Sequence, residues 1–291
     1  MAHTMNRREL LAAGAAAGLA ASPLARLFAA DEKRLYKIGA CDWSIGKRQN
    51  IEAFDVAKAI GLDGVQVSFS EPGKPFDLRD KAVRDQYLAK SKETGVEIAS
   101  LAMGVLNSVP FATEPQTEKW VEECIEVMAA MGQKIVLLAF FGKGDIRGKP
   151  DRQEAVIAKL KRLAPKAEKA GVILGVESTL NVDDHLKILN GVDSPAVQVY
   201  YDVANMHYNG YDIFAELRTL GADRICQIHC KERGCLLGKG PIDFKKVRDV
   251  LAEIGYYDWL IIEGATEKGR SMEECYVDNQ KFLRSLFPTA G

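Results

Sequence analysis

Neither sign of charge is in excess in this 291-residue sequence: 39 Lys and Arg stand against 40 Asp and Glu, for a net of −1. With no global basic field to draw the chain onto a nucleic-acid backbone or an anionic membrane, neither is expected as a partner. Histidine is scarce, four in all, too few for a histidine-rich, multi-metal nuclease site. The uncharged run Leu11–Ala21 is short and rich in Ala and Gly, a poor match to the roughly 20 strongly apolar residues of a membrane span. No Gly-x-Gly-x-x-Gly follows the first strand-like run, so the usual dinucleotide-binding turn is missing. No linker, low-complexity stretch or shift in composition divides the chain after residue 30.

What is present is 47% hydrophobic and 27% charged residues, a globular composition with enough apolar material for a sizeable core. A small molecule is therefore the default partner. The first thirty residues stand apart: Asn6-Arg7-Arg8-Glu9-Leu10-Leu11 opens the uncharged run, which Ser22-Pro23 breaks ahead of a lone Arg26. This segment resembles a twin-arginine export signal, with cleavage expected near Ala29 or Ala30 and Met5 as the more usual start. The expected divisions are thus a signal over 1–30 and one domain over 31–291, periplasmic or exported and free of the membrane after cleavage. The six cysteines at 41, 124, 226, 230, 235 and 275 are read mostly as buried thiols, because a chain this long needs no disulfide staples. A twin-arginine substrate is exported folded, so it can load a metal before leaving the cytoplasm.

From residue 35 onward, β-branched or apolar runs alternate with amphipathic stretches. The strands are expected over Tyr36–Cys41, Gly64–Ser68, Glu97–Met103, Lys134–Phe140, Val172–Glu177, Val197–Asp202, Ile225–His229 and Trp259–Glu263. The helices are expected over Ile51–Ile60, Ala82–Thr94, Glu114–Met131, Arg152–Ala170, Val182–Leu189, Ile213–Leu220, Phe244–Ile254 and Met272–Leu286. Gly61, Gly95, Gly132, Gly171, Gly221 and Gly255 follow helices as C-terminal stops. Eight strand–helix units of about 32 residues each predict a single (β/α)8 TIM barrel, an α/β fold.

In such a barrel the reactive groups sit at the C-terminal ends of the strands. Strands five to eight end on Glu177, Asp202, His229 and Glu263, spaced by 25, 27 and 34 residues, each about one strand–helix unit. Four adjacent staves can thereby aim three carboxylates and one imidazole at a single centre. Acids converging there would repel one another without a cation. The donor set suits one divalent ion, Mn2+ first, with Mg2+, Co2+ or Zn2+ as alternatives.

Gly-Val-Glu177, Asp202-Val-Ala-Asn205, Ile-His229-Cys-Lys231-Glu232, Gly238-Lys-Gly-Pro-Ile-Asp243-Phe and the Tyr256-to-Glu263 stretch together resemble the xylose isomerase-like barrel superfamily. The likeness is greatest to its sugar phosphate isomerase/epimerase group, which includes ketose 3-epimerases and hydroxypyruvate isomerases. It implies one divalent metal held by Glu177, Asp202, His229 and Glu263, with Glu177 and Glu263 as the catalytic acid/base pair. Ketose epimerases of this group commonly place a His three residues after the metal-binding Asp, where this chain has Asn205 and its nearest histidine is His207.

The chemistry fits these residues independently of the resemblance. A cation bridging the carbonyl and a neighbouring hydroxyl stabilises the enediolate formed when the adjacent proton leaves. Carboxylates on opposite faces then give epimerisation, and return to the next carbon gives isomerisation. The same site could serve a lyase or deglycosidase acting on 3-keto-sugars, or a non-catalytic sugar-binding barrel. The expected partner is a sugar or keto-sugar, and a homo-oligomer is compatible with the sequence.

Trp43, His207, Lys231 and Glu232 are the candidate substrate contacts, Lys231 and Glu232 alternatively steadying His229 or pairing with each other. Asp42, Phe140 and Phe141 also follow strand ends, and Gly238-Lys239-Gly240 is either a phosphate turn or an ordinary lead into a helix. His185 falls within a helix and is read as structural.

Overall fold

The computed structural model describes residues 36–288, so the signal-like segment 1–30 lies outside the described residues. Eight parallel strands close into a barrel in sequence order: β1 (Lys37–Cys41), β2 (Gly64–Ser68), β3 (Glu97–Met103), β4 (Ile135–Ala139), β5 (Ile173–Glu177), β6 (Val197–Asp202), β7 (Ile225–Cys230) and β8 (Trp259–Ile262). Pairing of β1 with β8, Gly39 opposite Ile261, shuts the ring. The outer layer holds α1 (Ala53–Ile60), α2 (Lys81–Thr94), α3 (Gln116–Met131), α4 (Pro150–Ala170) and α5 (Val182–Val192), then α7 (Ile213–Leu220), α8 (Phe244–Ile254) and α9 (Met272–Leu286). No helix among the described residues is long and apolar enough to cross a membrane.

The strand and helix expectations match these bounds to within three residues. Besides three single-turn 3-10 helices, the sequence pattern gives no sign of α6 (Val203–Tyr208), a short α-helix that starts directly at the end of β6. Its six residues span less than two turns, too few for a periodic apolar pattern to register. The expected helix stops are present, five of them left-handed. Gly221 differs, with φ 68° and ψ 167°, a conformation that only glycine adopts readily.

Apolar outward faces of the strands and the inner faces of the helices form one continuous core, while a smaller set fills the barrel itself. Trp259 plugs the floor of the barrel. A Cβ at Gly64 would lie 2.5 Å from its ring, so the first strand pair must carry glycine for the indole to fit. Above the plug lies a buried polar layer of Gln66, Ser100, Tyr200 and Gln227. All six cysteines are free, five of them buried as expected and Cys235 half-buried.

His185 is buried on α5, its Nε2 3.0 Å from the Ser178 hydroxyl and its Nδ1 without a partner. Burial pushes this imidazole down to about 4 from an ordinary 6.5. Because the unfolded chain then takes up a proton that the native state refuses, the histidine's contribution to stability is present above pH 6.5 and is lost as pH falls toward 4. The loss amounts to about 3 kcal/mol. Urea titrations across this range should show a flatter acid limb for His185→Leu than for the parent; parallel curves would count against a neutral buried His185.

Candidate active site

The four strand ends bring their side chains to one point. Glu177 is the last residue of β5 and Asp202 the last of β6; His229 pairs in register with Asp202, and Glu263 follows β8 with its amide still bonded to the Cys230 carbonyl. Each contributes one ligand-capable atom, and these four atoms lie within 4.8 Å of one another. Asp202, His229 and Glu177 are buried, and Glu263 is half-buried at the mouth.

Each group is held by further contacts. His229 Nδ1 lies 2.9 Å from Glu177 Oε1, 3.7 Å from Glu263 Oε2 and 3.9 Å from Asp202 Oδ2. Its other nitrogen faces Gln66 Oε1 at 3.0 Å, and the ring packs edge-on against Tyr200. Asp202 divides its carboxylate between two tasks. Oδ1 accepts from the amides of Ala204 and Asn205, capping α6, while the buried Oδ2 has no hydrogen-bond partner. Glu263 accepts from Trp43 Nε1 at 2.9 Å and Lys231 Nζ at 2.7 Å.

The electrostatics follow from three acids sharing a dry pocket. Burial, reinforced by Glu263 and Glu177 and opposed by Lys231, raises Asp202 well above the usual carboxylate range. Burial also works to raise Glu263, but His229 and Lys231 outweigh it and hold that carboxyl low. Burial alone would depress His229; the surrounding carboxylates, Glu177 first, more than offset it. An orphaned buried carboxylate oxygen is costly unless a cation meets it. Asp202 Oδ2 makes no hydrogen bond and has the Lys231 ammonium only at 3.7 Å, and three further oxygen and nitrogen donors lie within reach, so the residues fit a divalent ion.

Beside the cluster is a cavity of about 260 Å3 whose walls include Trp43, Arg48, Ser68, Ser70, Asn107, Glu177 and Glu263. It falls below the roughly 300–1,000 Å3 of pockets for drug-sized ligands, which favours one small polar molecule. Of the four candidate substrate contacts, two reach the acids and two do not. Trp43 lines the cavity, and Lys231 stands against Glu263 with Asp202 Oδ2 3.7 Å away. Glu232 turns aside: its buried carboxylate accepts from the Ile242 amide and the Tyr208 hydroxyl, each at 3.2 Å. Gly240 lies so close over that carboxylate that a Cβ there would clash with it. His207, on α6, packs its ring against Tyr208 rather than lining the cavity.

Lys231 and Glu232 therefore pair neither with each other nor with the same group. The Gly238-Lys239-Gly240 turn serves the Glu232 contact, and α8 beyond it is capped by the Asp243 carboxylate, which occupies the amide a phosphate would need. Asp42 is buried and bonds the Ser68 amide and hydroxyl and the Gln49 amide; Phe140 is core, and Phe141 is half-buried against the barrel interior.

Gln66 was missed by reading strand ends alone. It lies inside β2, its Nε2 bonded to Ser100 Oγ and Tyr200 OH. The available signal was a long polar side chain in the middle of Gly-Val-Gln-Val-Ser, where alternation turns it toward the barrel axis. The α6 cap had a signal too, an Asp at the strand end three residues before the amide of Asn205.

Comparison with known proteins comes at low identity but long coverage. The profile of the family described as xylose isomerase-like TIM barrel matches residues 54–286. A 2-epi-5-epi-valiolone 7-phosphate 2-epimerase of Actinoplanes sp. is 25% identical over 71% of this chain and 76% of its own. A putative L-ribulose-5-phosphate 3-epimerase of Escherichia coli is 25% identical over 82% of this chain and 92% of its own. Among solved structures, the apo 3-keto-D-glucoside 4-epimerase of E. coli superposes with a TM-score of 0.69 at 20% identity, covering 86% of this chain and 99% of that one.

Proposed function

We propose that this chain, which belongs to the xylose isomerase-like TIM barrel family, is a metal-dependent enzyme that epimerises or isomerises a keto-sugar by moving a proton between Glu177 and Glu263. The observation carrying this reading is that both glutamates line one sugar-sized cavity while sharing Asp202 and His229 in a single donor cluster. Two curated relatives and the superposed structure carry the names of epimerases and point the same way, while three other curated relatives are named inosose dehydratases.

Glu177, Asp202, His229 and Glu263 would hold the ion. When bound, a divalent ion supplies the positive charge that makes a carbonyl-bearing carbon's neighbour more acidic. The chain's own residues do the rest. With the ion absent His229 Nδ1 lies 2.9 Å from Glu177 Oε1, and Trp43 Nε1 with Lys231 Nζ orients Glu263. One carboxylate takes the proton from the carbon beside the carbonyl, the C–H electron pair forming the carbon–carbon double bond of an enediolate. The other carboxylate, once protonated, returns a proton to the opposite face; return to the adjacent carbon interconverts ketose and aldose.

Incubating the Mn2+-supplemented protein with D-fructose, L-ribulose and a 3-keto-glucoside, with products identified by NMR, tests the reading. An epimer or isomer of at least one sugar is expected. Release of the aglycone from the 3-keto-glucoside alone would instead assign the lyase chemistry that shares the first proton abstraction. Binding without any product would leave a sugar-binding barrel.

A further inference from the structure

Gln66 lies on the side of the His229 ring away from the carboxylates, and the proton transfers proposed above give it no part. It sits in the middle of β2, where strand register places Cys41 of β1 on one side of it and Ser100 of β3 on the other. All three, together with Tyr200 and His229, are shut off from solvent. A primary amide in such a place is costly unless its two N–H groups and its oxygen all find partners.

Each of them does. Nε2 lies 3.0 Å from Ser100 Oγ and 2.9 Å from Tyr200 OH, so both of its hydrogens have acceptors. Oε1 faces the other way, 3.2 Å from the Cys41 thiol and 3.0 Å from His229 Nε2. Two bare acceptors only 3.0 Å apart would repel each other, so the imidazole nitrogen that meets Oε1 is the one that carries hydrogen. A neutral imidazole has a single such hydrogen to place. With it on Nε2, the lone pair stands on Nδ1, the nitrogen that faces Glu177, Glu263 and Asp202 at 2.9 to 3.9 Å. The Tyr200 and Trp43 rings meet the imidazole edge-on, with centroids 4.5 and 6.4 Å away, and hold its plane. Such packing does not tell one ring nitrogen from the other; a hydrogen-bond acceptor does.

We infer that Gln66 is a positioning residue for the metal centre: its Oε1 accepts the Nε2 hydrogen of His229 and so keeps the Nδ1 lone pair turned toward the three carboxylates, where a divalent ion would take it. The inference rests on the metal-centre part of the reading above and adds to it a residue whose action passes through His229. Without Gln66 the hydrogen moves to Nδ1, where Glu177 Oε1 waits 2.9 Å away as an anionic acceptor, and the imidazole is lost as a ligand.

Long-range proton–nitrogen NMR of the imidazoles in the Zn2+-loaded parent protein tests the tautomer. The histidine whose signals move on adding Zn2+ should show a protonated Nε2; a bare Nε2, or an ion bound through it, overturns the inference. Calorimetric titration with Mn2+ tests the consequence. Gln66→Leu, which has no acceptor, should bind Mn2+ roughly ten- to a hundredfold more weakly than the parent. Gln66→Glu restores an acceptor for Nε2, and the Ser100 and Tyr200 hydroxyls can rotate to donate to its second oxygen, so its affinity should stay within about threefold of the parent's. Melting curves of the metal-free proteins show whether the variants fold, and the parent spectrum with Gln66→Glu decides the matter if Gln66→Leu does not. A folded Gln66→Leu that binds Mn2+ as tightly as the parent, or a Gln66→Glu with a hundredfold loss, overturns the role of Gln66 and leaves the metal centre standing. A parent protein that takes up neither ion overturns both.

Discussion

Replacing Glu177 or Glu263 with Gln should lower kcat by roughly a hundred- to ten-thousandfold from loss of the proton carrier alone, while the barrel melts within a few degrees of the parent. Gln keeps the size and shape of Glu but cannot accept a proton from carbon. The hydrogen bonds to each carboxylate are local: His229 for Glu177, Trp43 and Lys231 for Glu263. In D2O the parent enzyme should place deuterium on the carbon next to the carbonyl, since a proton held on a carboxylate can exchange with solvent before it returns. Each Gln variant keeps a base on one face. It should therefore retain exchange from the epimer that presents its hydrogen to that face, even when net turnover is lost. Products free of solvent deuterium under all conditions would mean direct hydride transfer, and the two-glutamate assignment would fall.

Elemental analysis should find about one divalent ion per chain in the parent protein, and far less in His229→Ala and Asp202→Ala. At a metal concentration a hundred times the Kd, binding stabilises the native state by about 2.7 kcal/mol, which for a domain of this size raises Tm by roughly 5–10 °C. Added Mn2+ should therefore shift the parent's melting curve upward and barely move the variants. The two substitutions differ in their metal-free behaviour. His229→Ala removes the imidazole that faces Glu177, Glu263 and Asp202, leaving those acids to Lys231 alone, so its metal-free form should melt lowest. Asp202→Ala removes an unsatisfied buried oxygen but also the cap of α6, two effects of opposite sign. Metal content equally low in the parent and both variants would end the metal-centre assignment.

The ligand-capable quartet was legible because strand ends in a barrel are separated by one strand–helix unit, so spacing alone converts into adjacency. Trp43 was legible for the same reason, being two residues beyond β1. Glu232 and His207 were not, although they too follow strand ends. Glu232 lies three residues past His229, where the chain has already left the strand register, and its direction is set by Tyr208, Ile242 and the close approach of Gly240. His207 is carried off by α6, whose start depends on one oxygen of Asp202 acting as a cap.

By itself the sequence determined the barrel, the order of its strands and which four side chains meet at its mouth. Apolar periodicity, glycine stops and a constant repeat length are local properties, and the closed parallel topology turns them into fixed neighbours. Only the tertiary structure decided how charge is distributed there. Lys231 neutralises Glu263, Asp202 keeps one oxygen without a hydrogen bond, and Gln66 reaches His229 from the opposite side of the ring. These outcomes depend on side chains 32 to 163 positions apart converging in a low-dielectric interior, where a single hydrogen bond or counter-charge sets each group's state.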